Sequence, residues 1–229
     1  LAKHCAPKGA KKLALIGNGA QSEFQALGMK AIIGISEVRL YDIDPEASQK
    51  TADNLADSGL KVIVCRTLDE AVLGAEIITT CTADKTNATI LRDDIIKEGV
   101  YINAIGGDCP GKTELDGNIL MRADRVIVEF EPQTRIEGEI QQLSSDFPVI
   151  EFHRILKGEV LARTSANDLV VFDGVGFASE DFTALVFLRD LIREQEGYEV
   201  LDLIPQQADP KNLYSVVKEQ SMVANEEMA

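Results

Sequence analysis

The sequence predicts an α/β fold, a doubly wound parallel sheet covered by helices on both faces. Three observations predict it. A short apolar run at residues 13–16 passes through a glycine turn into a helical pattern, and further apolar runs alternate with helical segments along the chain. The second of these runs ends in an acid, Asp42, placed about 20 residues beyond the turn as a nucleotide-binding unit requires. Alternation of this kind means crossover connections, which set neighbouring strands parallel and bury them on both sides.

The first unit is the most informative. Leu13 to Ile16 reads as a buried strand, Gly17-Asn18-Gly19-Ala20-Gln21-Ser22 as a turn, and a helix begins near Ala20. Phe24, Leu27, Ala31 and Ile32 are spaced to fill one face of that helix. Residues 38–41 form the second strand. Strand, glycine turn, helix, strand and carboxylate, in that order, make the first half of a dinucleotide-binding unit. Gly17 permits the tight turn, Gly19 lets main-chain amides approach a diphosphate, and the helix aims its N-terminal dipole at that anion. Asp42 can accept a ribose hydroxyl, while a 2′-phosphate there would meet a like charge, so NAD is favoured over NADP. Ser22 replaces the third glycine, so helix and strand pack across a small hydroxyl side chain.

Asp44 precedes Pro45 and is expected to cap a helix over residues 46–56 that stops at Gly59. Residues 61–64 form a third strand, 68–73 a brief helix and 75–79 a fourth strand, which runs into the polar segment from Thr80 to Lys85. A helix over 93–97 precedes a fifth strand at 100–105, ended by Gly106-Gly107-Asp108. Ligands in such sheets bind beyond the carboxyl ends of the strands, so the segments 17–22, 79–85 and 106–113 should face one crevice. Residues 125–128 read as a sixth strand, 132–143 as a helix, 152–156 as a short helix and 169–172 as a further strand before Asp173-Gly174-Val175-Gly176. A helix capped at Ser179 follows, with Glu180 and Asp181 in its first turn. Phe182, Leu185, Val186 and residues 188–192 make it apolar over more than half its circumference, so it is expected to pack on more than one element. From Gln206 onward the tail is polar and is expected to be loosely held.

Composition narrows the function. With 229 residues and 45% hydrophobic content the chain can bury one good core. A formal net charge of -15 argues against nucleic acid or an anionic membrane as partner. No apolar run approaches a membrane span. Cys5, Cys65, Cys81 and Cys109 lack a Cys-x-x-Cys spacing and read as free thiols, which points to the cytoplasm. His4 and His153 stand without neighbouring ligands, so no metal site is expected. Residues 1–11 look like the last turns of a helix stopped by Pro7 and Gly9, 12–178 like the nucleotide-binding domain, and 179–229 like a terminal helix and tail.

The stretches IGNGAQSEFQAL, YDIDPEA, TTCTADK, INAIGGDCPGKTELD, EPQTRIEGEIQQL and FDGVGFASEDF resemble the ornithine cyclodeaminase and mu-crystallin family over most of the chain. GGDCPGKTELD with EPQTRIEGEIQ is similar to its cyclodeaminase branch. The resemblance implies a Rossmann-type NAD domain and a reaction that cyclises L-ornithine to L-proline with loss of ammonia, NAD being reduced and reoxidised within each turnover. It maps the catalytic acid onto Asp108, a carboxylate that can shuttle protons if partial burial raises its pKa, although an acid before Cys109-Pro110-Gly111 also fits a turn cap. Cofactor contacts map onto Ala20, Gln21, Asp42, Thr82, the backbone of Ile102, Asn103, Ala104 and Ile105, and Lys112, with Asp173, Gly174 and Val175 as a further contacting neighbourhood. Lys112 could neutralise a cofactor phosphate, though a loop lysine is usually just solvated. The family also carries an N-terminal substrate and dimerisation domain. The resemblance implies that this domain is missing before Leu1, that the helix after Ser179 packs toward it, and that the complete protein is a homodimer. An NAD(P)-dependent amino-acid dehydrogenase, a ketimine reductase and a non-catalytic binding protein like mu-crystallin are the alternatives.

Overall fold

The computed structural model describes residues 1–83, 88–193 and 211–215. Its centre is a parallel sheet of β1 (Lys12–Ile16), β2 (Glu37–Tyr41), β3 (Lys61–Val64), β4 (Ile77–Thr80), β5 (Tyr101–Ala104), β6 (Arg125–Val128), β7 (Ile150–Glu151) and β8 (Val170–Asp173). The spatial order is β3-β2-β1-β4-β5-β8-β6-β7. Strand order reverses between β1 and β4, which opens a crevice at their carboxyl ends. The last strand does not extend the sheet but inserts between β5 and β6, pairing Ala104 with Asp173 and Val128 with Asp173. Asp173 therefore stands beside the end of β5, although the two lie far apart in the chain.

Around the sheet lie α1 (Ala2–Cys5), α2 (Ser22–Ile33), α3 (Pro45–Asn54), α4 (Leu68–Val72), α5 (Gly117–Arg122), α6 (Glu131–Glu137), α7 (Phe152–Leu156) and α8 (Ala178–Arg193). Ala14, Ile16, Ile78, Ile102, Val126 and Val171 face one core, while Leu13, Leu15, Ile77, Tyr101, Val170 and Phe172 face the other. Strands buried on both sides explain the unbroken apolar runs. The expected cap on α3 is present: the Asp44 carboxylate accepts the Glu46 amide at 3.0 Å, with Pro45 opening the helix. All four cysteines are free thiols. Among the described residues no helix is long and apolar enough to cross a membrane.

Several expectations need correction, among them the cap at Ser179, which is the second residue of α8 and not its cap. Phe24, Ala31 and Ile32 do not face the core; α2 buries Ser22, Glu23, Ala26 and Met29 instead. Bonds to α3 set this face: Ser22 bonds Thr51, and Glu23 pairs with Lys50 and Asn54, which leaves Phe24 and Ile32 outside. The helix expected over 132–143 is broken at Gly138 into α6 and a 3-10 turn, Glu139–Gln142. An added Cβ at Gly138 would lie 2.6 Å from Asp173 Oδ1, and the amides that would extend the helix bond that carboxylate instead. Residues 93–97 form only a 3-10 turn, Asp93–Ile95. Finally, α8 buries none of its side chains against the described residues; Phe182, Leu185, Phe187 and Leu191 are all at least half exposed. Of the expected tail only 211–215 is described, where Tyr214 packs edge-on against Phe24 with ring centroids 5.7 Å apart; the rest lies outside the described residues.

Gly17 has φ +90°, and an added Cβ would sit 2.7 Å from the Cys81 carbonyl oxygen. Gly17→Ala is therefore expected to destabilise the fold by about 1–3 kcal/mol from backbone strain alone. Thermal denaturation should show a lowered Tm; an unchanged Tm would mean that the turn is not constrained as described.

Candidate functional site

The turn after β1 is built by side chains from behind. The Asn18 amide donates to Asp42 Oδ2 at 2.6 Å and the Asp44 amide to Asp42 Oδ1 at 2.9 Å, so the acid at the end of β2 ties the turn to the next loop. Asn18 Nδ2 reaches Ser48 on α3 at 3.2 Å. Ser22, the substitute for the third glycine, is fully buried and bonds the Gly19 carbonyl at 2.7 Å and Thr51 at 3.0 Å. Glu23 is also fully buried, paired with Lys50 at 3.0 Å and with Asn54 at 2.8 Å. The crevice side is left clear. An added Cβ at Gly19 would meet nothing within 4 Å, and no side chain caps α2, whose N-cap residue is Gln21 next to Ala20. A small open turn with an uncapped helix behind it suits an anion.

The loops after β4 and β5 are fastened to each other. Glu114, almost wholly buried, accepts the Thr82 amide at 2.8 Å and the Thr82 hydroxyl, and its carboxylate lies against Gly106, where any side chain would collide with it. Lys112 is not solvated: its side chain is 5% exposed, and its ammonium bonds the Thr82 carbonyl and Asp108 Oδ1, each at 3.1 Å. Asp108 itself is exposed, with 58% of its side chain in solvent, and the Lys112 cation holds it. Ile102, Asn103 and Ala104 lie inside β5 and are buried, while Ile105 is half-buried at its end. Asn103 and Ile105 border a cavity of about 330 Å³, together with Gln25, Glu129, Phe172 and Glu180. Gly174 closes against Ile105 and Phe172, where a Cβ would lie 2.6 Å from the Phe172 ring. Asp84 and Lys85, part of the expected crevice segment, lie outside the described residues.

Two buried acids, Glu114 and Glu139, and the half-buried Glu129 had no role in the sequence reading, and Asp173 entered it only as part of a cofactor-contacting neighbourhood. Asp173 accepts the amides of Glu139 and Ile140 at 2.8 and 2.9 Å, and Glu139 accepts those of Glu114 and Leu115 at 2.8 and 3.0 Å. Glu129 accepts the amides of Val175 and Gly176 at 3.1 and 2.6 Å. The available signal was acids standing among glycine and apolar residues, in KTELD and EGEIQ. Burial pushes Glu139 up to about 8 and Asp173 up to about 7, against the pull of the amides they accept. Burial also raises Glu129. Among the described residues no group of three or more His, Cys, Asp or Glu could hold a metal ion.

The family model for the ornithine cyclodeaminase/mu-crystallin family matches residues 1–196. The chain belongs to this family. An ornithine cyclodeaminase of Brucella suis is 54% identical over 216 residues, covering 94% of this chain and 60% of that protein. The chain thus spans about 60% of the length of the curated cyclodeaminases it matches. Among solved structures, an archaeal alanine dehydrogenase dimer with bound NAD superposes with a TM-score of 0.80 at 26% identity, covering 89% of this chain and 64% of that one. A lysine cyclodeaminase, solved to explain its recognition of L-lysine, L-ornithine and L-2,4-diaminobutyric acid, gives 0.79 at 28% identity, covering 93% and 62%. The eight-stranded sheet is therefore the Rossmann-like fold of NAD-binding relatives.

Two predictions follow from the site's charges. Glu139 and Asp173 bind protons more tightly folded than unfolded, where such groups titrate near 4.5 and 3.8. Between those values and about 8 the folded chain holds the extra protons, so stability falls as pH rises through that window. The denaturant midpoint should decline from pH 5.5 to 8.5, and a rising midpoint would contradict it. Asp42→Ala should weaken NAD binding and relax discrimination against NADP, read by titrating both; an unchanged preference counts against Asp42 as the ribose acceptor.

Proposed function

We propose that this chain is the NAD-binding part of an ornithine cyclodeaminase. The 54% identity to a cyclodeaminase supports the reaction class, and the pairing of Asp108 with Lys112 carries the assignment of the site. The residues present fit the cofactor: Gly17 closes the turn, Gly19 leaves it open toward the crevice, and the uncapped start of α2 offers main-chain donors for a diphosphate. Ala20 and Gln21 would line that diphosphate, Asp42 would accept a ribose hydroxyl, and Thr82, Ile105 and Gly174, with the end of β5 behind them, would border the nicotinamide end. NAD, when bound, supplies a hydride acceptor that can return what it takes.

The chain's own contribution is placement and proton handling. Asp108, exposed to the crevice on a double-glycine stem, would take the proton released at the substrate α-amine and give one back when the ring closes. Lys112 fixes it: an ammonium anchored on the Thr82 carbonyl offers one orientation to the carboxylate. The overall change would be L-ornithine to L-proline and ammonia, with Asp108 holding the proton at the α-amine nitrogen while the δ-amine replaces that nitrogen at Cα. The substrate carboxylate, the dimer contact and the apolar face of α8 are assigned to a further domain of a homodimer, in keeping with the greater length of the relatives. The setting is taken to be the cytoplasm.

A second reading, an amino-acid dehydrogenase, rests on an alanine dehydrogenase of Archaeoglobus fulgidus that is 33% identical over 187 residues. The two separate on product. The complete protein with NAD and L-ornithine should yield equal proline and ammonia without NADH accumulating, whereas steady NADH with a keto acid would select the dehydrogenase. Asp108→Ala should lower turnover by about 100-fold or more while leaving NAD affinity nearly unchanged. Loss of both together would make Asp108 a structural residue.

A further inference from the structure

The buried acids form a sequence of handovers rather than a cluster. Asp173, at the end of β8, takes two amides of the 3-10 turn that starts at Glu139. The Glu139 side chain takes the amides of Glu114 and Leu115, and Gln142 Nε2 also reaches it at 3.4 Å. The Glu114 side chain then takes both donors of Thr82, after β4. Each carboxylate fixes the backbone that carries the next one. Gly138, Gly107 and Gly106 leave the space: a Cβ would stand 2.6 Å from Asp173 at the first, 2.8 Å from Glu139 at the second, and against the Glu114 carboxylate at the third. Lys112, two residues before Glu114, bonds Thr82 and Asp108 at the end of this path.

We propose that Glu139 is a positioning residue: by accepting the amides of Glu114 and Leu115 it holds Glu114 on Thr82, and through that loop sets the Lys112–Asp108 pair at the nicotinamide end of the crevice. This rests on the NAD reading above. Both Glu139 oxygens accept main-chain donors, so Glu139→Gln must turn an amide donor toward one of them. The adenosine end is held by separate bonds, Asn18 to Asp42 and Ser48 and Ser22 to Thr51, so the lesion should stay at one end of the site.

Hydrogen exchange on the chain, with affinities for NAD and for ADP-ribose, tests this. In Glu139→Gln the amides of Glu114, Leu115 and Thr82 should exchange about tenfold faster or more, those of Leu15 and Val38 should keep their protection, and NAD affinity should fall while ADP-ribose affinity holds. Unchanged exchange at Glu114 and Thr82, or equal loss of both ligands in a folded variant, overturns it. If Glu139→Gln loses protection throughout, Glu114→Gln decides: faster exchange at Thr82 with weakened NAD and intact ADP-ribose binding supports the proposal, and no change at Thr82 overturns it. Should the unaltered chain bind neither ligand, the NAD reading fails, while the exchange pattern still reports on Glu139.

Discussion

Beyond the carboxyl end of a parallel sheet the main-chain amides have no strand to bond, and leaving them unbonded in a buried rim costs about 1–3 kcal/mol each. In this protein carboxylates accept many of them. Asp42 takes amides of Asn18 and Asp44, Glu114 that of Thr82, Glu139 those of Glu114 and Leu115, Asp173 those of Glu139 and Ile140, and Glu129 those of Val175 and Gly176. These bonds place acidic side chains inside the fold, where burial keeps protons on Glu139 and Asp173 to a higher pH than on a solvated carboxylate.

The topology makes this lacing possible. Because β8 enters between β5 and β6, Asp173 reaches the 3-10 turn after α6, and that turn carries Glu139 back to the loop after β5. The break in the helix at Gly138 has the same origin: a carboxylate from another strand captures the amides that would have continued it. Asp108 is exposed at the end of this scaffold, and a buried lysine instead of a hydrophobic pocket holds it.

The elements that follow from local rules were legible in the sequence. The Asp44 cap with Pro45 depends on neighbours within a few residues, and the Gly17 turn and the strand at 61–64 carry their signal in their own residue types; all three appear as read. The face of α2 was misread because two of its buried residues, Ser22 and Glu23, are polar and are held by bonds to α3, which a hydrophobic pattern does not weigh. β7, at two residues, is too short to leave a period. Within the site, Asp108 and Lys112 were singled out by resemblance, but their pairing and the burial of Lys112 come from the Thr82 carbonyl 30 positions away. Glu114 and Glu139, and the bonds that Asp173 makes, were hidden for the same reason: their partners are mainly amides, which every residue except proline carries, so no spacing of side chains marks them.

The central claim is that the laced rim after β1, β4 and β5 is one NAD-binding surface. Amide chemical shifts of the isotopically labelled protein, followed as NAD is added, test it most directly. Saturable shifts should gather at Gly17 to Ser22, at Thr82 and from Ile105 to Lys112. Shifts confined to the opposite edge of the sheet, or none at saturating NAD, would contradict the account.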